Sequence, residues 1–178
     1  MEDKFTQGFA AGVLSGLITN IVDILMGSAG WTTLRYIDWT GIVVLAHVPP
    51  FTLAETIFSF FAQILFCAGL GVFFTYLVSW IGTRNLLLKS WLYSLLIWFA
   101  IDGLTTLYKI EGTFPLPLET AMANSVSATI LGLVLGQSLK VFTRPASASS
   151  FVPQPAMKPA DSGGPNDAKG GNPSDDPH

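Results

Sequence analysis

The sequence predicts an all-α membrane protein: a bundle of four transmembrane helices, an interfacial or re-entrant segment between helices 1 and 2, and a disordered C-terminal tail. Half of the 178 residues are hydrophobic and only 12% are charged. The mean hydropathy is positive, at +0.51. Apolar runs of about 20 residues, the length that crosses a bilayer, recur along the chain. A soluble domain would need a more polar surface than this composition supplies.

Four segments have the length and polarity of membrane spans: residues 5–27, 52–80, 86–108 and 117–142. The stretch WTTLRYIDWTGIVVLAHVPP, residues 31–50, separates the first two. Its apolar core is too short to cross a membrane, so we expect an interfacial or re-entrant piece. Aromatic side chains should anchor this piece at headgroup depth. These are Trp31, Tyr36 and Trp39.

The composition divides the chain into two parts. Residues 1–142 form the predicted transmembrane domain. Residues 143–178 are rich in Pro, Gly, Ser and Asp and contain one aromatic residue. Such a segment cannot bury enough apolar surface to offset the entropy of ordering, so we expect a disordered, solvated tail.

The distribution of basic residues predicts the orientation. With four spans, five of the basic residues near the span ends lie on the side of both termini and two lie on the other side. The positive-inside rule then places both termini in the cytoplasm. The first group is Lys4, Arg84, Lys89, Lys140 and Arg144, and the second is Arg35 and Lys109. A cleaved signal peptide is the rival interpretation of the first span, but its acidic N-terminus and its length argue against one.

Small residues form a continuous stripe on the first and fourth spans. At about 100° per residue, Gly8, Gly12 and Gly16 lie on one face of the first span, and Ala128, Gly132 and Gly136 lie on one face of the fourth. Such stripes let two backbones approach closely. We expect the two spans to pack on each other within one chain, with homodimerisation through the same glycines as the alternative.

Each span also carries one carboxylic acid near the same membrane face, and three amides lie somewhat deeper. The acids are Asp23, Glu55, Asp102 and Glu119, and the amides are Asn20, Gln63 and Asn124. Polar residues inside spans are candidates for function, and acids clustered with amide oxygens suit a cation or a proton relay. This polar intramembrane cluster is the candidate site.

Structural roles compete with that interpretation. Glu55 is the fourth residue of TLAE, a capping box with Thr52, and Glu119 follows the prolines of PLPLE in a first helical turn. Asp23 and Asp102 lie near helix C-termini, where the dipole disfavours negative charge, so each needs a partner, a proton or water. Arg35 and Lys109 are the candidate partners, and we expect a structural salt bridge or hydrogen-bond network.

No catalytic motif is present in the sequence. It lacks H-E-x-x-H, G-x-S-x-G and a phosphate-binding glycine loop. His47 has no second ligand at metal-binding spacing, and the single Cys67 lies inside an apolar run. We therefore predict no enzyme activity, no metal and no cofactor. An intramembrane hydrolase that uses Asp23 and Asp102 is a minor alternative without supporting context.

The stretches LRYIDW, HVPPFTLAE, GTRNLLLKSW and ETAMANSVSA, in this order, resemble those of small bacterial four-span membrane proteins known as hypothetical proteins. The resemblance covers residues 5–142. It implies a bacterial plasma membrane and brings no activity, cofactor or catalytic residue.

Two functions remain as hypotheses. The first is a structural or interaction subunit of the plasma membrane, with the bilayer as solvent and a second copy or another membrane protein as partner. The second is a small oligomeric carrier or channel for a cation or proton that uses the acidic layer. No basic stripe indicates nucleic-acid binding.

Overall fold

The computed structural model describes residues 3–143 and shows five helices, with no strand in that part of the chain. They are α1 (Lys4–Ser28), α2 (Tyr36–Leu45), α3 (Leu53–Ile81), α4 (Leu86–Leu107) and α5 (Leu118–Phe142). All except α2 are long and apolar enough to cross a membrane. The fold class is confirmed, and the long helices begin and end within one residue of the predicted spans. The predicted tail lies outside the described residues from position 144 onward.

The glycine stripe of α1 packs on α3. A Cβ at Gly8 would lie 2.8 Å from the carbonyl oxygen of Gly71, and one at Gly12 would lie 2.7 Å from the Cα of Ala68. Gly16 faces the side chain of Cys67. Only glycine allows two helix backbones to approach this closely, so the stripe fixes the α1–α3 interface.

The small residues of α5 pack on α4. Gly132 lies against Ser94 and the backbone of Ser90 and Trp91, and Gly136 lies against Ser90 and Leu87. The buried Ala128 continues the stripe. The predicted packing of the first span on the fourth within one chain is confirmed, because α1 and α5 contact each other. Their glycines do not form that contact, however, since those of α1 lie against α3 and those of α5 lie against α4. The helices follow the spatial order α3, α1, α5, α4.

One end of the bundle holds α2, which packs between the end of α1 and the start of α3. We call it the α2 end. The opposite end has an apolar core shared by α1, α3, α4 and α5. Large apolar side chains such as Leu25, Leu65 and Phe99 are exposed around the bundle, as expected for a surface that faces lipid.

Candidate functional site

Asp23 holds the start of α2. Its side chain is fully buried, and its Oδ2 accepts a 2.7 Å hydrogen bond from the backbone N–H of Tyr36, the first residue of α2. The first amides of a helix lack partners within the helix and carry partial positive charge. A carboxylate that is misplaced at the C-terminus of its own helix is therefore well placed at the N-terminus of another.

Arg35 pairs with Asp38. The Arg35 Nε and Nη2 donate to the two carboxylate oxygens of Asp38 at 2.8 and 2.9 Å. This bidentate bond raises the pKa of the Arg35 guanidinium, and the charge of Asp23 adds a smaller effect. Arg35 thus lies near Asp23, but its direct partner is an acid that the sequence analysis did not consider.

Tyr36 links α2 to α5. Its hydroxyl donates a 2.9 Å hydrogen bond to the backbone oxygen of Asn124. Burial raises the pKa of Tyr36 well above its ordinary value, with a smaller effect from the charge of Asp23. The phenol therefore stays protonated and remains a donor. Tyr36 and Trp39 both line an internal cavity, whereas Trp31 is 66% exposed. The headgroup depth of these three side chains stays a prediction.

Glu55 and Glu119 lie apart from this cavity. Glu55 Oε2 accepts hydrogen bonds from the N–H and the hydroxyl of Thr52 at 2.7 and 2.8 Å, which is the capping box of α3. Its other oxygen lies 3.2 Å from His47 Nε2. Glu119 is exposed in the first turn of α5. The four acids therefore share one end of the bundle without forming one cluster.

The internal cavity lies between α3 and α4, beneath α2. Its volume is about 60 Å³, and residues from all five helices line it. Four of them are polar side chains that are at most 6% exposed, namely Thr19, Gln63, Ser94 and Asn124. Within residues 3–143, Thr19 Oγ1, Gln63 Oε1 and Asn124 Oδ1 accept or donate no hydrogen bond. Buried polar atoms are normally paired, so this group is unusual.

Asn20 lies beside that group on the buried face of α1. Its Nδ2 donates to the carbonyl oxygen of Gly16 at 3.0 Å, whereas its Oδ1 makes no hydrogen bond with the described residues. Ser127 faces the Asp23 carboxylate without forming a hydrogen bond of good geometry. The polar interior thus continues from the cavity towards Asp23.

Asp102 lines the cavity from α4. The indole N–H of Trp98 lies near the Asp102 carboxylate, but it does not donate a hydrogen bond of good geometry to it. Lys109, the expected partner, is exposed, and the ion pairs among residues 3–143 do not include it. The prediction of an Asp102–Lys109 pair was wrong because Lys109 lies beyond the end of α4, with a positive φ of 49°.

The sequence analysis missed several residues of this region. Asp38 pairs with Arg35 only because α2 begins at Tyr36 and brings positions 35 and 38 onto one turn. The pattern R-x-x-D was the available signal. Thr19 and Trp98 carried no signal, because a lone hydroxyl and a lone indole in an apolar run do not indicate a cavity.

Among residues 3–143, no group of three or more His, Cys, Asp or Glu side chains is placed to hold a metal ion. No family model, no curated protein and no solved structure matches the chain. The interpretation of the site therefore depends on its geometry.

Proposed function

We propose that this multi-pass membrane protein is a non-catalytic subunit or scaffold of the bacterial plasma membrane, which acts through contact between its spans and another membrane protein or a second copy of itself. The observation that carries the proposal is the packing of the bundle opposite α2. There Phe74 and Tyr93 lie with ring centroids 5.0 Å apart, and Tyr93 donates a hydrogen bond to the Leu70 carbonyl at 3.1 Å. Leu135 and Leu139, each at most 2% exposed, complete the same core.

That core argues against a transport pathway. A polar route from the cavity to the opposite end of the bundle would have to pass between α3 and α4, where the two rings meet. Moving an ion through apolar packing without polar partners is costly. A small membrane protein with such a core is better suited to binding than to conduction.

The acids of the α2 end support the same proposal. Asp23 binds the N-terminus of α2, Asp38 binds Arg35, and Glu55 caps α3. Each of these acids stabilises a local structure of the chain. This accounts for these three acids without requiring transported ions.

A contact surface is available on α3 at Gly69. A Cβ built at Gly69 would have no atom within 4 Å, in contrast to Gly8, Gly12 and Gly71. The neighbouring Leu65 and Phe73 are 66% and 61% exposed. A glycine costs about 1 kcal/mol relative to alanine inside a helix, and an open glycine lets a foreign helix approach closely. We assign the partner to this surface, which we call the Gly69 face: Leu65, Gly69 and Phe73.

The orientation completes the proposal. The five basic residues flanking the spans on the side of the termini, against two on the other side, favour cytoplasmic termini. The polar segment 143–178 then lies on the cytoplasmic side, where it can add a second contact to a partner.

Affinity purification from native membranes tests this proposal. We expect the tagged wild-type chain to retain an untagged copy or one other membrane protein in a fixed ratio. Gly69→Leu should lose that partner, whereas Gly103→Leu, which alters an open glycine on α4, should keep it. A wild-type chain that purifies alone as a monomer would overturn the proposal, as would a partner that Gly69→Leu retains.

The second candidate function is a carrier or channel for a cation or proton. The polar cavity with Asp102 at its wall favours it. Ion flux into proteoliposomes tests this alternative, because transport predicts a saturable flux that Asp102→Asn abolishes. We expect no flux above that of protein-free vesicles.

A further inference from the structure

The cavity at the α2 end combines one carboxylate with an aromatic wall. Among the described residues that line it, Asp102 is the only one with a formal charge at neutral pH. Four aromatic side chains from three helices also line it: Tyr36 and Trp39 of α2, Phe66 of α3 and Trp98 of α4. A single negative charge in low dielectric attracts a cation, and aromatic faces attract cations through their quadrupoles. The wall therefore selects for positive charge.

Buried hydrogen-bonding groups complete the lining. Thr19, Asn124 and Gln63 are 2%, 4% and 6% exposed, and each has an oxygen that makes no hydrogen bond with the described residues. Because leaving such groups unpaired costs free energy, their presence around one cavity indicates a ligand that bonds to them. Hydroxyl and amide groups can accept hydrogen bonds from an N–H donor.

The size of the cavity limits the ligand. A volume of about 60 Å³ holds roughly four to six water-sized spheres. This corresponds to a small ammonium group with a few carbon atoms. A divalent metal ion fits less well, because Ca²⁺ and Mg²⁺ need about six oxygen ligands and no group of three metal-binding side chains exists among residues 3–143.

Asp102 lines both the cavity and a groove on the surface. Both Asp102 and Trp98 also line a surface groove with Phe99, Gly103 and Ala121, on the side of α4 and α5. The carboxylate therefore lies between the groove and the interior. A cation that enters from the surface meets the counter-charge first and the aromatic wall next.

We propose that this cavity binds a small organic cation, an ammonium group, with Asp102 as counter-charge and the rings of Trp39 and Trp98 as its aromatic contacts. The inference goes beyond the subunit role and does not depend on it. The ammonium group can belong to a free amine or to the headgroup of a membrane lipid.

Binding is tested with the full-length chain in nanodiscs of phosphatidylglycerol, which has no ammonium group. Methylammonium chloride, whose ammonium group carries N–H donors, is titrated, and sodium chloride at equal ionic strength is the control. Tryptophan fluorescence reports on the ring wall. Cys67, the only cysteine of the chain, lines the cavity, so its rate of modification by methyl methanethiosulfonate is a second readout. By mass action, methylammonium at ten times its Kd should slow modification about tenfold.

Variants separate the site from general salt effects. Asp102→Asn should raise the ligand concentration needed for half-saturation by about tenfold or more, because it removes the counter-charge. Glu119→Gln removes an exposed acid at the same end of the bundle and should leave half-saturation unchanged. Should Asp102→Asn fail to fold, protection of Cys67 in the wild-type chain still decides the question.

The source of the ammonium group is decided in a second lipid. If a lipid headgroup is the ligand, nanodiscs containing phosphatidylethanolamine should protect Cys67 without added salt. If a free amine is the ligand, protection should require methylammonium in both lipids. Either pattern supports the proposal. A response that does not saturate, that sodium chloride reproduces, or that Asp102→Asn leaves unchanged would overturn it.

Discussion

Replacing Gly12 by alanine should destabilise the bundle, whereas the same change at Gly103 should not. A Cβ at Gly12 would overlap the carbonyl oxygen of Cys67 and lie 2.7 Å from the Cα of Ala68. Both are backbone atoms of α3, so no side-chain rotation can relieve the overlap. At Gly103, no atom lies within 4 Å of the added Cβ.

The difference between the two variants isolates the packing effect. A glycine-to-alanine change inside a helix stabilises it by about 1 kcal/mol at either position. Overpacking of a tight interface costs about 1–3 kcal/mol. The gain in helix propensity is the same in both variants and cancels when they are compared. The Gly12→Ala variant should therefore be less stable than the Gly103→Ala variant by about 1–3 kcal/mol.

The measurement is the free energy of unfolding in mixed micelles, obtained by titrating sodium dodecyl sulfate into the purified chain and following helix content by circular dichroism. Gly12→Leu should increase the loss, and Leu17→Val, on the exposed face of α1, should change little. Equal stability of the two alanine variants would refute the close packing of α1 on α3.

Three further predictions concern the α2 end and the orientation. Asp23→Leu should lower the free energy of unfolding by about 1.5–3 kcal/mol, because the start of α2 loses a charged hydrogen-bond acceptor. Asp23→Asn should lower it less. Equal losses in the same detergent titration would contradict the role of the hydrogen bond. The Val48 carbonyl, and then Glu55, raise the pKa of His47 above its ordinary value of 6.5, so its contribution to stability is present below that pH and is lost as pH rises through the raised pKa. The advantage of the wild type over His47→Gln in thermal unfolding should therefore shrink as the pH rises above about 6.5, and a constant advantage would argue against the His47–Glu55 pair. In a Cys67→Ser background, a Glu111→Cys variant should react with an impermeant thiol reagent on intact cells, and a cysteine placed within residues 143–178 should not; the opposite labelling would invert the topology.

The fold could be predicted from the sequence because membrane spans depend on composition. An apolar run of sufficient length must form a helix in lipid, since every backbone group needs a partner within the segment. The limits of the long helices followed from that rule. The capping box of Thr52 and Glu55 also followed, because capping depends on residues close in sequence.

The partners of the long-range contacts could not be predicted in the same way. A stripe of small residues indicates a close approach but does not specify which helix approaches. The helices α1 and α5 do pack on each other as predicted, but their glycines lie against α3 and α4. Asp23 binds a backbone N–H, and such a partner leaves no mark in the sequence. The cavity depends on the gap between α3 and α4, which no single helix pattern contains.

The central claim, that the chain binds a partner through the Gly69 face of α3, is tested most directly by cross-linking in native membranes. A Gly69→Cys variant in a Cys67→Ser background is treated in intact membranes with a short membrane-permeant cross-linker that joins a thiol to nearby groups. Leu17→Cys, at the middle of α1 on its exposed face, is the matched control. We predict that Gly69→Cys gives one discrete cross-linked protein, either a dimer of this chain or a complex with one partner, and that Leu17→Cys gives none. The absence of a cross-linked product from Gly69→Cys would contradict the account. The same diffuse products from Gly69→Cys and Leu17→Cys would also contradict it.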